Sequence, residues 1–283
     1  MTTTPDIIET RFGALLQHGS FSRRIYLMKV GDADPRKLPD QLDALAREHG
    51  YTKIFAKLPR GLEGEFVANG YRVEASVPGF YRGETEALFL ARYLDPARAE
   101  SPEAGEIDRI VELASAKPAI APPPLSPEFL LRACTPEDVE PMAAIYREVF
   151  STYPFPIHDP AWLLETMESH IDYFGVEDAQ QGGRLVALAS SEMDLDGLNV
   201  EMTDFATLPE FRGRNLALHL LAEMEEAMRQ KGMRTAYTIA RAVSPGMNIT
   251  FAKAGYKFSG TLVNNTNISG GIESMNVWYK KLA

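Results

Sequence analysis

Apolar and polar positions follow two periods along this chain. Residues 21–30, FSRRIYLMKV, are rich in β-branched and aromatic side chains and predict a strand. PRKLPDQLDALAREHG then places apolar residues at helical spacing and stops at Gly50, a residue suited to a helix C-terminus. YTKIFAKLP predicts another strand, GLEGEFVANGY a short helix closing at Gly70, and RVEASVP and ALFLARYL two further strands. Further on, FLLRAC predicts a strand. TPEDVEPMAAIYREVF predicts a helix, with Thr135 as N-cap and Pro136 in the first helical position. LLETMESHIDYFG has helical spacing. RLVALASSEMD and NVEMTDFATL predict paired strands with Asp196-Gly197 near the turn. A helix over 215–230, the strand RTAYTIAR, the helix GMNITFAKAG and two last strands complete the pattern.

Between the two runs lies a stretch rich in Pro, Ala and Glu and poor in aromatics. Pro122-Pro123-Pro124 can continue neither a helix nor a central strand. GEIDRIVELASA, inside it, predicts a short helix. The expected organisation is an α/β domain over 1–94, a connector over 95–126 and a second α/β domain over 127–283. The two domains read alike. REHGYTKIFAK matches RQKGMRTAYTI, EFVANGYRVEAS matches TFAKAGYKFSGT, and EALFLARYL matches ESMNVWYKKL. The pattern suggests an internal duplication.

Composition narrows the function classes. A net charge of −10 argues against a nucleic-acid partner. A single cysteine, Cys134, excludes an intramolecular disulfide and a cysteine metal cluster, and no metal is expected. No apolar run is long enough for a bilayer. MTTTPDIIETRFG lacks a basic segment followed by an apolar one, so no signal peptide is read there and a cytoplasmic setting is expected.

The stretch DFATLPEFRGRNLALHLL leaves a strand, turns through one glycine between two arginines and enters a helix at once. A helix N-terminus offers unpaired N–H groups and a partial positive charge. Glycine permits close approach, and the arginines add charge, so the loop suits a pyrophosphate. An ordinary turn with solvated arginines is the alternative. At the matching place the first half has GDADPRKLP, which is acidic and broken by proline, so no coenzyme site is expected there.

Arg212-Gly213-Arg214-Asn215-Leu216-Ala217 resembles the [QR]-x-x-G-x-[GA] signature of the GNAT acetyltransferases, with Asn215 where that family has its middle glycine. FAKAGYKFSG resembles the later Y-x-x-x-G-[FY] motif, with Phe251 in place of the tyrosine that many members use as general acid. STYPFPIHDP, NVEMTDFATLPEFRG, TAYTIARAVSPGMNITFAKAGY and NNTNISGGIESMNVWYK, together with YTKIFAKLP and VPGFYRGETEALFLARYL, resemble the β-lysine N-acetyltransferase family over nearly the whole chain. The resemblance implies a GNAT fold, a mixed and mostly antiparallel sheet flanked by helices, preceded by a smaller degenerate GNAT-like half. It implies acetyl-CoA as co-substrate and β-lysine as acceptor, giving Nε-acetyl-β-lysine, a compatible solute. Lysine 2,3-aminomutase is the implied pathway partner. A homodimer is one role open to the first half.

Direct transfer needs a base for the ammonium and a donor for the developing oxyanion. Glu201 is the first candidate base. Asp204 is the second, if a β-bulge re-aims it. Tyr237 is a candidate acid. The resemblance assigns Phe205, Ala206 and Thr207, the loop Arg212–Ala217, and Asn248 and Phe251 to the coenzyme. Glu192 and Asp194 on the preceding strand would make the pocket anionic. Tyr153, His158 and Asp159 lie in the segment that caps the acceptor, and Arg241 would hold a carboxylate or a phosphate. A related GNAT acting on lysine or a polyamine is the rival enzyme. A non-catalytic acyl-CoA sensor draws support from Asn215 and Phe251, but would not need the strand carboxylates.

Overall fold

A computed structural model describes residues 6–282. Residues 1–5 and 283, which include the start of the segment searched for a signal peptide, lie outside the described residues. The first half contains β1 (Ile7–Arg11), β2 (Ala14–Gly19), β3 (Arg24–Lys29), α1 (Leu38–Glu48), β4 (Lys53–Pro59), α2 (Glu63–Ala68), β5 (Arg72–Tyr81) and β6 (Thr85–Tyr93). The middle segment carries α3 (Ala104–Ser115). The second half contains β7 (Phe129–Ala133), α4 (Val139–Val149), α5 (Pro160–Met167), β8 (Ile171–Asp178), β9 (Arg184–Asp194) and β10 (Asn199–Thr207). It continues with α6 (Leu216–Gln230), β11 (Thr235–Arg241), α7 (Pro245–Lys253), β12 (Lys257–Ile268) and β13 (Gly271–Lys281).

The sheets run β1-β2-β3-β4-β6-β5 and β12-β13-β11-β10-β9-β8-β7. Five strands of each share one topology. β2-β3-β4-β6-β5 matches β9-β10-β11-β13-β12, and the parallel pairs β3/β4 and β10/β11 occupy the same place. Each matched sequence pair falls on equivalent elements. The fold is GNAT, built twice.

Strand alternation explains how the halves meet. Ile54, Ala56 and Leu58 of β4 pack with α1 and α2, whereas Phe55 points to the other face with Tyr26 and Phe89. In the second sheet Ala236 and Trp278 join the core under α4 and α6, while Tyr237 and Val277 face the first half. The layers are therefore helices, sheet, sheet, helices. At Gly260 of β12 a Cβ would come 2.0 Å from the Glu74 carbonyl oxygen, so glycine is what lets β12 lie this close to β5.

Two expectations change. Residues 171–175 belong to β8 rather than to the preceding helix. β-branched and aromatic side chains resume there, with Ile171 and Tyr173 buried beneath α5. Helix α4 starts at Val139, after a short 3-10 turn over Pro136–Asp138 in which Asp138 accepts the Thr135 N–H at 2.7 Å. The middle segment carries its expected helix and packs on the second half: Ala114 of α3 joins that half's core, and the Ile120 N–H bonds the Lys253 carbonyl at 2.8 Å. Strands β1 and β2 had no prediction. No helix among the described residues is long and apolar enough to cross a membrane.

Candidate active site

β10 and β11 pair only from Asn199↔Thr235 to Glu201↔Tyr237, then diverge, while β10 stays paired to β9 as far as Thr207. Beyond Glu201, the backbone groups of β10 that would bond β11 are left for another partner. The chain then turns through Pro209–Phe211 and reaches Gly213 at φ +81°, where a Cβ would meet nothing within 4 Å. Asn215 takes the left-handed conformation, φ +60° and ψ 19°, as its type allows. No side chain caps α6, and Gly213, Asn215, Leu216 and Ala217 line one end of a cavity of about 1020 Å³. Arg212 lines it too, with its Nε donating to the Thr207 carbonyl at 3.3 Å. This geometry fits a pyrophosphate: an uncapped helix start, an open glycine and one guanidinium.

The cavity passes between the two sheets to a cluster of carboxylates. Glu201 of β10 and Glu192 of β9 are direct cross-strand partners on one face. The ladder slips by one residue between Thr203 and Ala206, and Asp204 sits at the slip with φ +56°. That bulge turns Asp204 towards Ser190, whose hydroxyl donates to Oδ2 at 2.6 Å, and the Tyr153 hydroxyl donates to Oδ1. Both Asp204 oxygens are thus engaged, and the geometry leaves Glu201 the freer base. Burial and then neighbouring Glu192 push Glu201 up to about 8, against the pull of Lys57. Burial likewise raises Glu192 and Asp204 above the usual carboxylate range.

Lys57 comes from β4 of the first half. Its ammonium lies over the rings of Phe80, Tyr237 and Tyr26 at 5.5, 5.7 and 5.9 Å, and 3.5 Å from the Tyr237 hydroxyl. Burial works against this charge, but Tyr26, Tyr81, Glu201 and Glu192 outweigh it and hold Lys57 protonated, above the ordinary lysine value. Burial and Glu201 together raise Tyr237, which makes it a weak acid. Phe251 is buried and lines the cavity edge-on to Phe205, with ring centroids 5.5 Å apart. It contributes shape and no proton.

Several expected contributors fall outside the lining. Arg214 turns to Glu128 at 3.2 Å and stacks over Phe129 and Phe211. Ala206 is buried in the helix-side core. Asn248 is fully buried and accepts from Asn276 and Trp278, both at 2.9 Å, so it ties α7 to β13. The His158 carbonyl binds Arg147 at 2.7 Å while its ring is buried away from the cavity. Asp159 caps α5 through the Ala161 N–H at 3.0 Å. Asp194 pairs with Lys29 at 3.2 Å at the sheet's end. Arg241 does line the cavity, but Glu273 binds it bidentately at 2.8 and 2.6 Å and neutralises it. Tyr153, Glu192, Glu201, Asp204, Phe205, Thr207 and Tyr237 do line the cavity. Arg24, Tyr26, Phe55 and Lys57 are lining residues of the first half that had no prediction. For Phe55 and Lys57 a signal was there: in KIFAKLP, Lys53, Phe55 and Lys57 share one strand face opposite Ile54, Ala56 and Leu58.

Residues 140–256 match the acetyltransferase (GNAT) family model. The chain is 39% identical to a β-lysine N(6)-acetyltransferase from Methanococcus maripaludis over 267 residues, covering 94% of this chain and 96% of that protein. It is 32% identical to the N-acetyltransferase YodP of Bacillus subtilis over 95% of this chain and 96% of that one. A β-lysine N(6)-acetyltransferase from Methanosarcina mazei is 40% identical over 54% of this chain and 56% of its own length. With its doubled GNAT fold and a cavity leading from the helix start to the carboxylates, the chain belongs to the β-lysine N-acetyltransferase family of acetyl-CoA-dependent GNAT enzymes.

Proposed function

We propose that this enzyme transfers the acetyl group of acetyl-CoA to the side-chain amine of β-lysine, by direct attack in a ternary complex. The observation that carries the reading is the 39% identity to a β-lysine N(6)-acetyltransferase across 94% of the chain. The cavity supports it chemically. One end is an anion loop, the middle holds three carboxylates, and Lys57 of the first half faces them. On the same reading the product is a compatible solute made in the cytoplasm, and lysine 2,3-aminomutase supplies the acceptor.

Acetyl-CoA supplies the activated acyl group when bound, held by Arg212, Gly213 and the start of α6 and by the free backbone edge of β10. Glu192, Glu201 and Asp204 attract the acceptor's ammonium. Glu201 takes a proton from the nitrogen, freeing its lone pair. Asp204, through Ser190 and Tyr153, fixes the bulge that shapes the strand beside the reacting atoms. Backbone N–H groups of β10 beyond Glu201 are the candidate oxyanion donors. Phe205 and Phe251 keep that region dry. Phe251 gives no proton, and the coenzyme's thiol is acidic enough to leave as thiolate.

The test is thiol release from acetyl-CoA with β-lysine, α-lysine and spermidine compared side by side. A higher kcat/KM for β-lysine is expected. A preference for spermidine would move the acceptor to the polyamines, a class the carboxylate cluster also suits. Coenzyme binding without thiol release from any acceptor would refute the proposal.

A further inference from the structure

We propose that Arg24 of the first half anchors the carboxylate of the acceptor, with Asn265 accepting from the amine beside it. The inference rests on the acceptor reading above and deepens it. Arg24 is 4% exposed and borders the cavity. Its Nη1 donates to the Asn265 carbonyl at 2.8 Å and the Thr266 hydroxyl at 2.7 Å, and its Nη2 reaches Gln17 Oε1 at 3.4 Å. None of these partners is charged, and Nε has no partner among the described residues. Asp6 is the acid Arg24 senses most, yet its carboxylate is engaged by the Phe21 and Ser22 N–H groups. Burial lowers Arg24 to about 10, so it remains a cation at neutral pH.

A buried cation without a counter-ion is costly, and a substrate carboxylate would relieve that cost. The other cations of the cavity are differently placed. Arg241 is neutralised by Glu273, Arg212 sits at the pyrophosphate loop, Lys57 faces Glu192 and Glu201, and Lys253 stands in the last turn of α7 in the second half, away from the first-half wall. Asn265 is equally buried, and its Oδ1 also lacks a partner. Arg24 and Asn265 bond each other and both border the cavity, so a donor and an acceptor with spare capacity belong to neighbouring residues, which matches a carboxylate with an ammonium close to it.

Spacing fits the acceptor class. Arg24 stands level with Lys53, four residues before Lys57 on β4. At about 3.3 Å per residue, that separates the Arg24 row from the Lys57 and Glu201 end by about 13 Å. An extended six-carbon diamino acid spans roughly 8 Å between its terminal charges, and the side chains supply the rest. Between the two ends lie the Tyr26 and Phe55 rings, an apolar floor for methylene groups. The guanidinium rests over both rings, at 5.4 and 5.7 Å, which fixes its position.

The test compares β-lysine with 1,4-diaminopentane, the same diamine without its carboxylate, on the full-length enzyme. Wild-type enzyme is expected to prefer β-lysine. Arg24→Gln should lose at least a hundredfold in kcat/KM for β-lysine, mostly in KM, and stay within threefold for the diamine. Should Arg24→Gln fail to fold, Arg24→Lys carries the test, with an expected rise of about tenfold in KM for β-lysine alone. Equal losses on both acceptors, or an undiminished preference, would overturn the anchor. So would a selective loss in Lys57→Gln with the preference intact in Arg24→Gln, because the carboxylate would then bind Lys57. Wild-type enzyme that acetylates no carboxylate-bearing diamine refutes the acceptor reading itself. Wild-type preference that survives in Arg24→Gln refutes the anchor alone.

Discussion

Glu201→Gln removes one charge while keeping the side chain's shape, so it isolates the base. At pH 7 an amine near pKa 10.4 is neutral in only about one molecule in 2,500, which is the deficit a base must offset. Loss of a positioned base is worth about 10²–10⁴ in rate, or roughly 2.7–5.4 kcal/mol of barrier. Glu201 has the freer oxygens of the pocket carboxylates, because Asp204 is tied to Ser190 and Tyr153. The expected kcat loss is therefore about a thousandfold. The pH profile distinguishes this from a general disturbance. In the wild-type enzyme kcat/KM should rise as Glu201 ionises and level off above about 8. In the variant the rate should keep climbing about tenfold per pH unit towards pH 10, because only neutral amine reacts. Stability carries an independent sign. Glu201 holds its proton more tightly folded than unfolded, so the native state loses stability as pH rises from the ordinary 4.5 through about 8. Glu201→Gln should therefore be more stable than wild type at pH 8.5 and equal to it below pH 4, by thermal melts. A variant that keeps more than a tenth of wild-type kcat with the wild-type pH profile would refute the assignment.

Lys53 is completely buried, 3.0 Å from Glu74 and 2.7 Å from the Val263 carbonyl of the other half. Lys53→Met would leave Glu74 without its buried cation, at a cost of about 3–5 kcal/mol. Calorimetry should show Tm falling by roughly 6–20 °C, and a shift under 2 °C would exclude Lys53, through Val263, as a clamp between the halves. At the coenzyme loop, Asn215→Gly should leave the KM for acetyl-CoA equal or lower, since glycine adopts φ +60° freely. Asn215→Val pays about 1–2 kcal/mol for that conformation and should raise this KM about tenfold with kcat retained. Equal KM values for the two variants would mean that the loop's backbone shape does not limit binding.

Most elements were legible because each writes its own period. KIFAKLP alternates over β4, and the apolar spacing of 38–48 is helical. The coenzyme end of the site was legible for the same local reason: strand, glycine turn and helix start are contiguous in sequence. Residues 171–175 misled because Ile171, Tyr173 and Phe174 suit either a helix face or a strand buried on both sides. His158 and Asp159 were assigned by the segment they lie in and Asn248 by the resemblance, but the His158 carbonyl binds Arg147, Asp159 caps α5 and Asn248 is used in the core. The strand face of Lys57 was legible in KIFAKLP, but the roles of Arg24 and Lys57 were not, because they exist only once two sheets distant in sequence face each other.

The register of the duplicated sheets explains why the first half matters to the chemistry. In the second half Glu201 stands between Glu192 on one side and Tyr237 on the other. At the equivalent place in the first half, Tyr26 stands between Gln17 and Phe55. Both acid positions have lost their charge. Asn199, two residues before Glu201, corresponds to Arg24, two residues before Tyr26. The equivalent faces meet across the cavity, so acids and anion loop come from one half and the unpaired cation from the other. A second carboxylate cluster on the opposing sheet would repel the first and admit polyamines more readily than a zwitterion. Replacing it by Tyr26, Gln17 and Arg24 turns a repeated site into the opposite wall of a single pocket. This asymmetry accounts for a doubled GNAT fold that carries only one carboxylate cluster at this cavity.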